Sequence, residues 1–173
     1  YLTNSMLFLL VILLLSTLQV TLWFQSFGHF PPAHFWLPAL VYWSLYRSVS
    51  MGILMVYLCS LAITSLTALP IGFLIILNLC VLGFCQAIKT RIYWLGSTYF
   101  MMICALSAIL FPIFHLILSW SLEDSPVTQF DFFDWLMRSL WTALLALPLY
   151  PLFAWLDKVT LKDGGTENKV EVV

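Results

Sequence analysis

Residues Phe35–Gly72 read FWLPALVYWSLYRSVSMGILMVYLCSLAITSLTALPIG, 38 residues that carry one charge, Arg47, near the middle. As one helix this stretch would run roughly 57 Å at about 1.5 Å per residue, against a hydrocarbon core of about 30 Å. Two short crossings that meet at Arg47 fit better, because the guanidinium then sits at a membrane surface. An arginine at the bilayer centre costs at least about 2.5–3.5 kcal/mol. The second crossing ends near Leu69-Pro70-Ile71-Gly72, where Pro70 suits the first turn of a following helix.

Composition points the same way. The chain has 173 residues, 62% hydrophobic and 9% charged, with a mean hydropathy of +1.00. Soluble domains carry about 25% charged residues, so an all-α polytopic membrane protein is expected, with about six transmembrane helices. No basic patch for nucleic acid and no phosphate-cradling glycine loop occur in the sequence. The net charge of −1 carries no information about partners, because so few charges serve as positional signals.

Outward from the hairpin, Met6 to Trp23 is an apolar run that predicts a first spanning helix. A cleavable signal peptide would need a basic leading segment, and Tyr1 to Ser5 holds no Lys or Arg, so a retained helix is expected. Gln25 to His34, with Gly28 and Pro31-Pro32, reads as a turn. Helices follow over Phe35 to Tyr46, Ser50 to Leu66, Pro70 to Ile88, Tyr93 to Trp120 and Phe132 to Leu156. The fifth is overlong, which predicts a tilt or a bend at Pro112. Glu123 to Asp131 is the longest polar connection. The six-helix domain is drawn as residues 1–157, with 158–173 as a flexible tail containing Gly164-Gly165.

Six crossings sort the charges. Arg47, Lys89, Arg91, Lys158, Lys162 and Lys169 fall on one side. The His29/His34 turn, the Ser65–Leu69 turn and the acidic Glu123–Asp131 loop fall on the other. The positive-inside rule then predicts both termini in the cytoplasm.

Candidate chemistry is sparse. His115 is the histidine placed inside a helix, three residues after Pro112; it reads either as a proton-relay or ligand group or as an imidazole bonded to a neighbouring helix. Asp131, Asp134 and Arg138 open the sixth helix. They read as an outer docking point for a partner or as a capped helix start with an Asp134–Arg138 pair at i,i+4. Cys59, Cys80, Cys85 and Cys104 lack paired-ligand spacing and read as small buried hydrophobes. Asn78, Gln86, Gln19 and Thr64 read as interhelical glue. Trp36, Trp43, Trp94, Trp120 and Trp135 lie near helix ends, as an aromatic belt requires. No Ser/His/Asp, Cys/His, HExxH or paired-carboxylate constellation occurs in the sequence, so no enzymatic activity, cofactor or metal is expected.

A channel or transporter of charged substrates should line a midplane path with polar groups, and this chain offers few. A scaffold needs only helix surfaces that partners grip. Small residues at Gly52, Ser60, Gly83 and Ser107 are the candidate partner-binding positions, with the opening of the sixth helix orienting a partner's extracytoplasmic part. A homo-oligomer is also compatible with these faces.

The order of features resembles the MreD family of bacterial rod shape-determining membrane proteins. The resemblance rests on Leu18-Gln19 closing the first helix and on a proline-containing turn before Trp36-Leu37-Pro38-Ala39-Leu40-Val41-Tyr42-Trp43. It continues through Arg47 and Gly52, the Leu69-Pro70-Ile71-Gly72 turn, the aromatic start Phe132, Phe133, Trp135, and Trp155-Leu156-Asp157-Lys158. It covers roughly residues 6–158. The chain departs from the family at Ser60-Leu61-Ala62-Ile63-Thr64-Ser65, where the family carries an acid late in the third helix. The resemblance implies a non-enzymatic member of the cell-elongation, peptidoglycan-synthesis machinery in the bacterial cytoplasmic membrane. Its implied partners are MreC and the glycosyltransferase–transpeptidase pair of that complex. The family's six-helix arrangement is also similar to the substrate-capture subunits of energy-coupling-factor transporters, and that small-molecule role is the alternative.

Overall fold

The computed structural model describes residues 2–28, 31–67, 69–92, 96–122 and 131–160. The chain is all-helical among these residues, with six helices: α1 Leu2–Phe27, α2 Leu37–Tyr46, α3 Val49–Thr64, α4 Ile71–Arg91, α5 Ser97–Leu122 and α6 Phe132–Thr160. α1, α4, α5 and α6 contain segments long and apolar enough to cross a membrane, as an all-α polytopic membrane protein requires. The 16 residues of α3 reach roughly 24 Å and the 10 of α2 roughly 15 Å. α2 alone is therefore too short to be the second crossing expected from Phe35 to Tyr46.

α2 is instead the centre of the bundle. Its sequence LPALVYWSLY is apolar around the whole circumference, the pattern of a helix with no outward face, and every residue from Leu37 to Leu45 is buried. It packs on α3, α4, α5 and α6, while α1 lies against α3 and α6. Pro38 falls in the first turn of α2, where a missing N–H costs nothing. The preceding backbone is not helical, and side chains from other helices meet its donors. The Phe35 N–H donates to Gln19 Oε1 at 3.2 Å and the His34 N–H to Thr142 Oγ1 at 3.1 Å.

Small residues set the α3–α4–α5 packing. A Cβ on Gly52 would stand 2.7 Å from Leu82 Cδ1, so hydrogen at that position lets α3 and α4 approach. Asn78 Nδ2 donates to Ser60 Oγ across the same pair at 3.0 Å, and Cys85 Sγ lies 3.6 Å from Ser107 Oγ between α4 and α5. Both α5 and α6 run through their internal prolines, Pro112 and Pro148/Pro151.

Several helix ends differ from the sequence expectation. α1 extends past Met6 to Trp23 in both directions, and α6 continues past Leu156, where the sixth helix was expected to end, to Thr160. Trp36 and Trp43, expected in a lipid-facing belt, are 5% and 2% exposed; α2 is central, so its tryptophans face protein. Trp120 is exposed, and half-buried Trp135 donates its indole N–H to the Ile109 carbonyl at 3.0 Å. His29, Trp94, the Glu123–Phe130 stretch, Lys162, Lys169 and Gly164-Gly165 lie outside the described residues.

Candidate functional site

At one end of the bundle the interior becomes polar, and the reason is the buried end of α2. The last four carbonyls of a helix lack intrahelical partners and need donors from elsewhere. Gln86 and Lys89, three residues apart on one face of α4, supply two. Gln86 Nε2 donates to the Ser44 carbonyl at 2.7 Å and Lys89 Nζ to the Arg47 carbonyl at 3.0 Å. Arg47 then turns its guanidinium inward, 5.6 Å from the centre of the Trp43 ring.

The charge meets its counter-ion at Asp157 on α6. Arg47 Nη2 is 2.6 Å from Asp157 Oδ1. The same carboxylate accepts from Tyr42 Oη at 2.9 Å and from Asn4 Nδ2 at 3.1 Å. Asn4 also reaches Thr160 Oγ1. Four helices (α1, α2, α4 and α6) are thus tied at one point, and the side chains of Arg47 and Asp157 are only 15% and 20% exposed. Rings surround the pair, with Phe8, Phe153 and Tyr150 all within 6.4 Å of the Tyr42 ring centre. An ionised carboxylate only accepts hydrogen bonds, and three donors already converge here. The arrangement clasps helices together.

The sequence places Arg47 at a membrane surface and Asp157 just past the sixth helix, with no expectation that the two pair. The signal was present in both halves: a lone arginine in a long apolar run needs an acid, and Asp157 is the sole acid between Asp134 and Asp163.

The expected site residues divide. Ser60, Ser107 and Asn78 are fully buried in the contacts described above, and Gly52 is buried against Leu82. Gly83 alone of the four small residues faces outward, with open space where a Cβ would be. The three buried positions serve α3–α4–α5 packing inside the chain. His115 on α5 stands edge-on to Phe73, ring centres 5.1 Å apart. Asp131 caps α6, its Oδ1 accepting from the N–H groups of Phe133 (3.0 Å) and Asp134 (3.4 Å). Among the described residues no ion pair joins Asp134 to Arg138. Arg138 instead contributes its charge to the surroundings of His34 in the α1–α2 connection. Burial and then that charge hold the His34 imidazole down to about 4 from its ordinary 6.5. The His34 ring packs on Phe111, ring centres 5.0 Å apart.

The glue reading holds for Gln19, Gln86 and Asn78, each of which bonds another segment. Thr64 bonds back to Ser60 in its own helix. Cys59, Cys85 and Cys104 are buried free thiols, and Cys80 is half-buried. No protein-family model, curated protein or solved structure matches this chain.

Proposed function

We propose that this chain is a non-enzymatic membrane scaffold of the MreD type, holding partner membrane proteins such as MreC in the bacterial cell-elongation machinery. The observation that carries this reading is where the polar side chains inside the bundle are used. Ser60 with Asn78, Ser107 with Cys85, and Asp157 with Arg47, Tyr42 and Asn4 bond to one another. Polar groups so consumed build a rigid body, and a scaffold needs rigidity with free outer faces more than it needs internal chemistry.

The outer faces are apolar and extensive, with Met6 and Leu10 on α1, Ile53 and Tyr57 on α3, and Leu140 and Trp155 on α6 all exposed. Arg47 and Asp157 share one end of the bundle, with Lys89 bonded to Arg47 and Arg91 and Lys158 close by in sequence. Such clustering supports placing that end, and both termini, on the cytoplasmic side of the inner membrane. Asp131 and Asp134 open α6 about 35–39 Å away along its axis, so a partner's extracytoplasmic part would meet them there.

The test is crosslinked co-purification from bacterial membranes with partner identification. Recovery of MreC, weakened by Gly83→Leu without loss of inserted protein, is the expected result. Recovery equal to that of an unrelated polytopic protein would remove the proposal. Native mass spectrometry that finds a stoichiometric small solute would move the assignment to the capture-subunit alternative.

A further inference from the structure

Ser16 on α1 differs from its neighbour Thr17. Many hydroxyls inside these helices return a hydrogen bond to a carbonyl one turn earlier, as Thr17, Ser44, Ser60 and Thr64 do. Ser16 is 4% exposed and its Oγ has no hydrogen-bond partner. A buried hydroxyl left without a partner costs about 1–3 kcal/mol, so the orphan marks a place where something else belongs.

Ser16 lines an open cleft between α1 and α3, walled also by Gln19, Val20, Trp36, Ile63 and Thr67, with a volume of about 40 Å³. The space exceeds the roughly 10–15 Å³ that one water needs, and is far too narrow for a helix about 10 Å across. It suits a single polar group with its first carbons. The cleft lies in the half of the bundle away from Asp157, because Ser16 stands roughly 18 Å along α1 from Asn4 and Thr67 lies beyond the end of α3. Leu13 on α1 and Tyr57 and Leu61 on α3 are exposed and apolar, so what enters must be soluble in lipid.

We propose that this cleft is a binding site for the ester or hydroxyl end of a glycerolipid. The polar group accepts from or donates to Ser16 Oγ, and the acyl chain lies along the α1–α3 seam. The site stands independently of the scaffold reading, since it uses neither Gly83 nor the clasp.

The experiment uses the full chain in phospholipid nanodiscs and a monoacylglycerol carrying a diazirine near its glycerol end, with adducts mapped by mass spectrometry. Adducts should concentrate on residues 16–20 and 63–67, and monoolein should compete where hexadecane does not. Ser16→Ala should lower this labelling about threefold, as loss of one hydrogen bond within a membrane implies. Val20→Trp, which fills the cleft from its outer lip, should abolish it. Adducts spread evenly over the exposed apolar faces would overturn the site, as would equal competition by hexadecane or labelling unchanged in both variants. Labelling lost from the cleft only when a partner protein is co-expressed would reassign it to a side chain of that partner and overturn the lipid.

Discussion

Removing the Asp157 carboxylate tests the clasp most directly. Asp157→Ala deletes the acceptor of three donors, at 2.6 Å (Arg47), 2.9 Å (Tyr42) and 3.1 Å (Asn4), and leaves a guanidinium that is 15% exposed without its counter-ion. Breaking a buried pair from one side costs about 3–5 kcal/mol. The remaining exposure of both partners lets water screen the stranded charge, so about 3 kcal/mol is expected. The pair itself contributes much less than that figure suggests. Arg47 Nε is buried without a hydrogen-bond partner, so part of the desolvation cost of the guanidinium is never recovered. Arg47→Met combined with Asp157→Leu should therefore return to within about 1 kcal/mol of the parent, because an apolar pair avoids that cost. Reversible unfolding in mixed micelles measures both numbers, on Asp157→Ala and on a double-mutant cycle of the parent, Arg47→Met, Asp157→Leu and the double variant. An Asp157→Ala variant within about 0.5 kcal/mol of the parent, or a double variant as unstable as the two singles summed, would refute the clasp.

Gly52→Leu should destabilise by about 1–3 kcal/mol, the range for overpacking a filled interface, because even a Cβ meets Leu82 at 2.7 Å. Gly83→Leu, facing open space, should leave the unfolding midpoint nearly unchanged, and equal losses in the two would show that the small residues are not divided between inner and outer roles. Asn78→Leu removes one bond to Ser60 together with a buried carbonyl oxygen that has no partner. Its stability should stay within about 1 kcal/mol of the parent, and a loss of several kcal/mol by the same unfolding assay would mean that Asn78 does more than join α4 to α3. His34, held at about 4 against an ordinary 6.5, stays neutral in the folded chain over that window while the unfolded chain takes up a proton. Stability should be full above about pH 6.5 and fall as pH drops toward 4. His34→Gln should flatten that slope, and a slope that persists in the variant would locate the titration elsewhere.

The number and type of helices were legible because apolar runs broken by Pro, Gly and charge have few other readings. Which residue faces which neighbour was not legible, and the physics explains the difference. In water a helix declares its inner face by a hydrophobic stripe; in a membrane both protein and lipid are apolar, and the stripe vanishes. Trp43 therefore looked like a belt residue and is 2% exposed. Likewise Gly52, Ser60 and Ser107 signalled close packing correctly, yet nothing in a small residue says whether the closely packed helix belongs to the same chain. Polar residues were better guides, since each must find a partner. Gln19 and Gln86 have the character of joints in the sequence and are joints in the fold. The clasp escaped because its halves are 110 positions apart and each had a plausible local reading.

The placement of these polar joints explains how a 10-residue helix can sit at the centre of a membrane bundle. Apolar surface gives little net drive for helices to associate within lipid, so α2 cannot be held there by its leucines and valines alone. Both of its ends expose backbone groups that lipid cannot satisfy, and both are met by named side chains. Gln19 and Thr142 serve the segment entering α2; Gln86 and Lys89 serve the exit. Asp157 then anchors Arg47 and Tyr42, which tie the exit of α2 to α1 and α6. On this account the register of α2 is fixed by four polar joints and one ion pair, with the apolar core filling the space that they define. Replacing Gln86 and Lys89 together by Leu should strand two carbonyls at a cost of about 1–3 kcal/mol each, whereas single large-to-smaller changes such as Val41→Ala in α2 should lower stability without shifting its register. Spin-label distances from α2 to α6 separate the two. If the joint variant kept every distance and lost no stability, packing alone would be positioning α2.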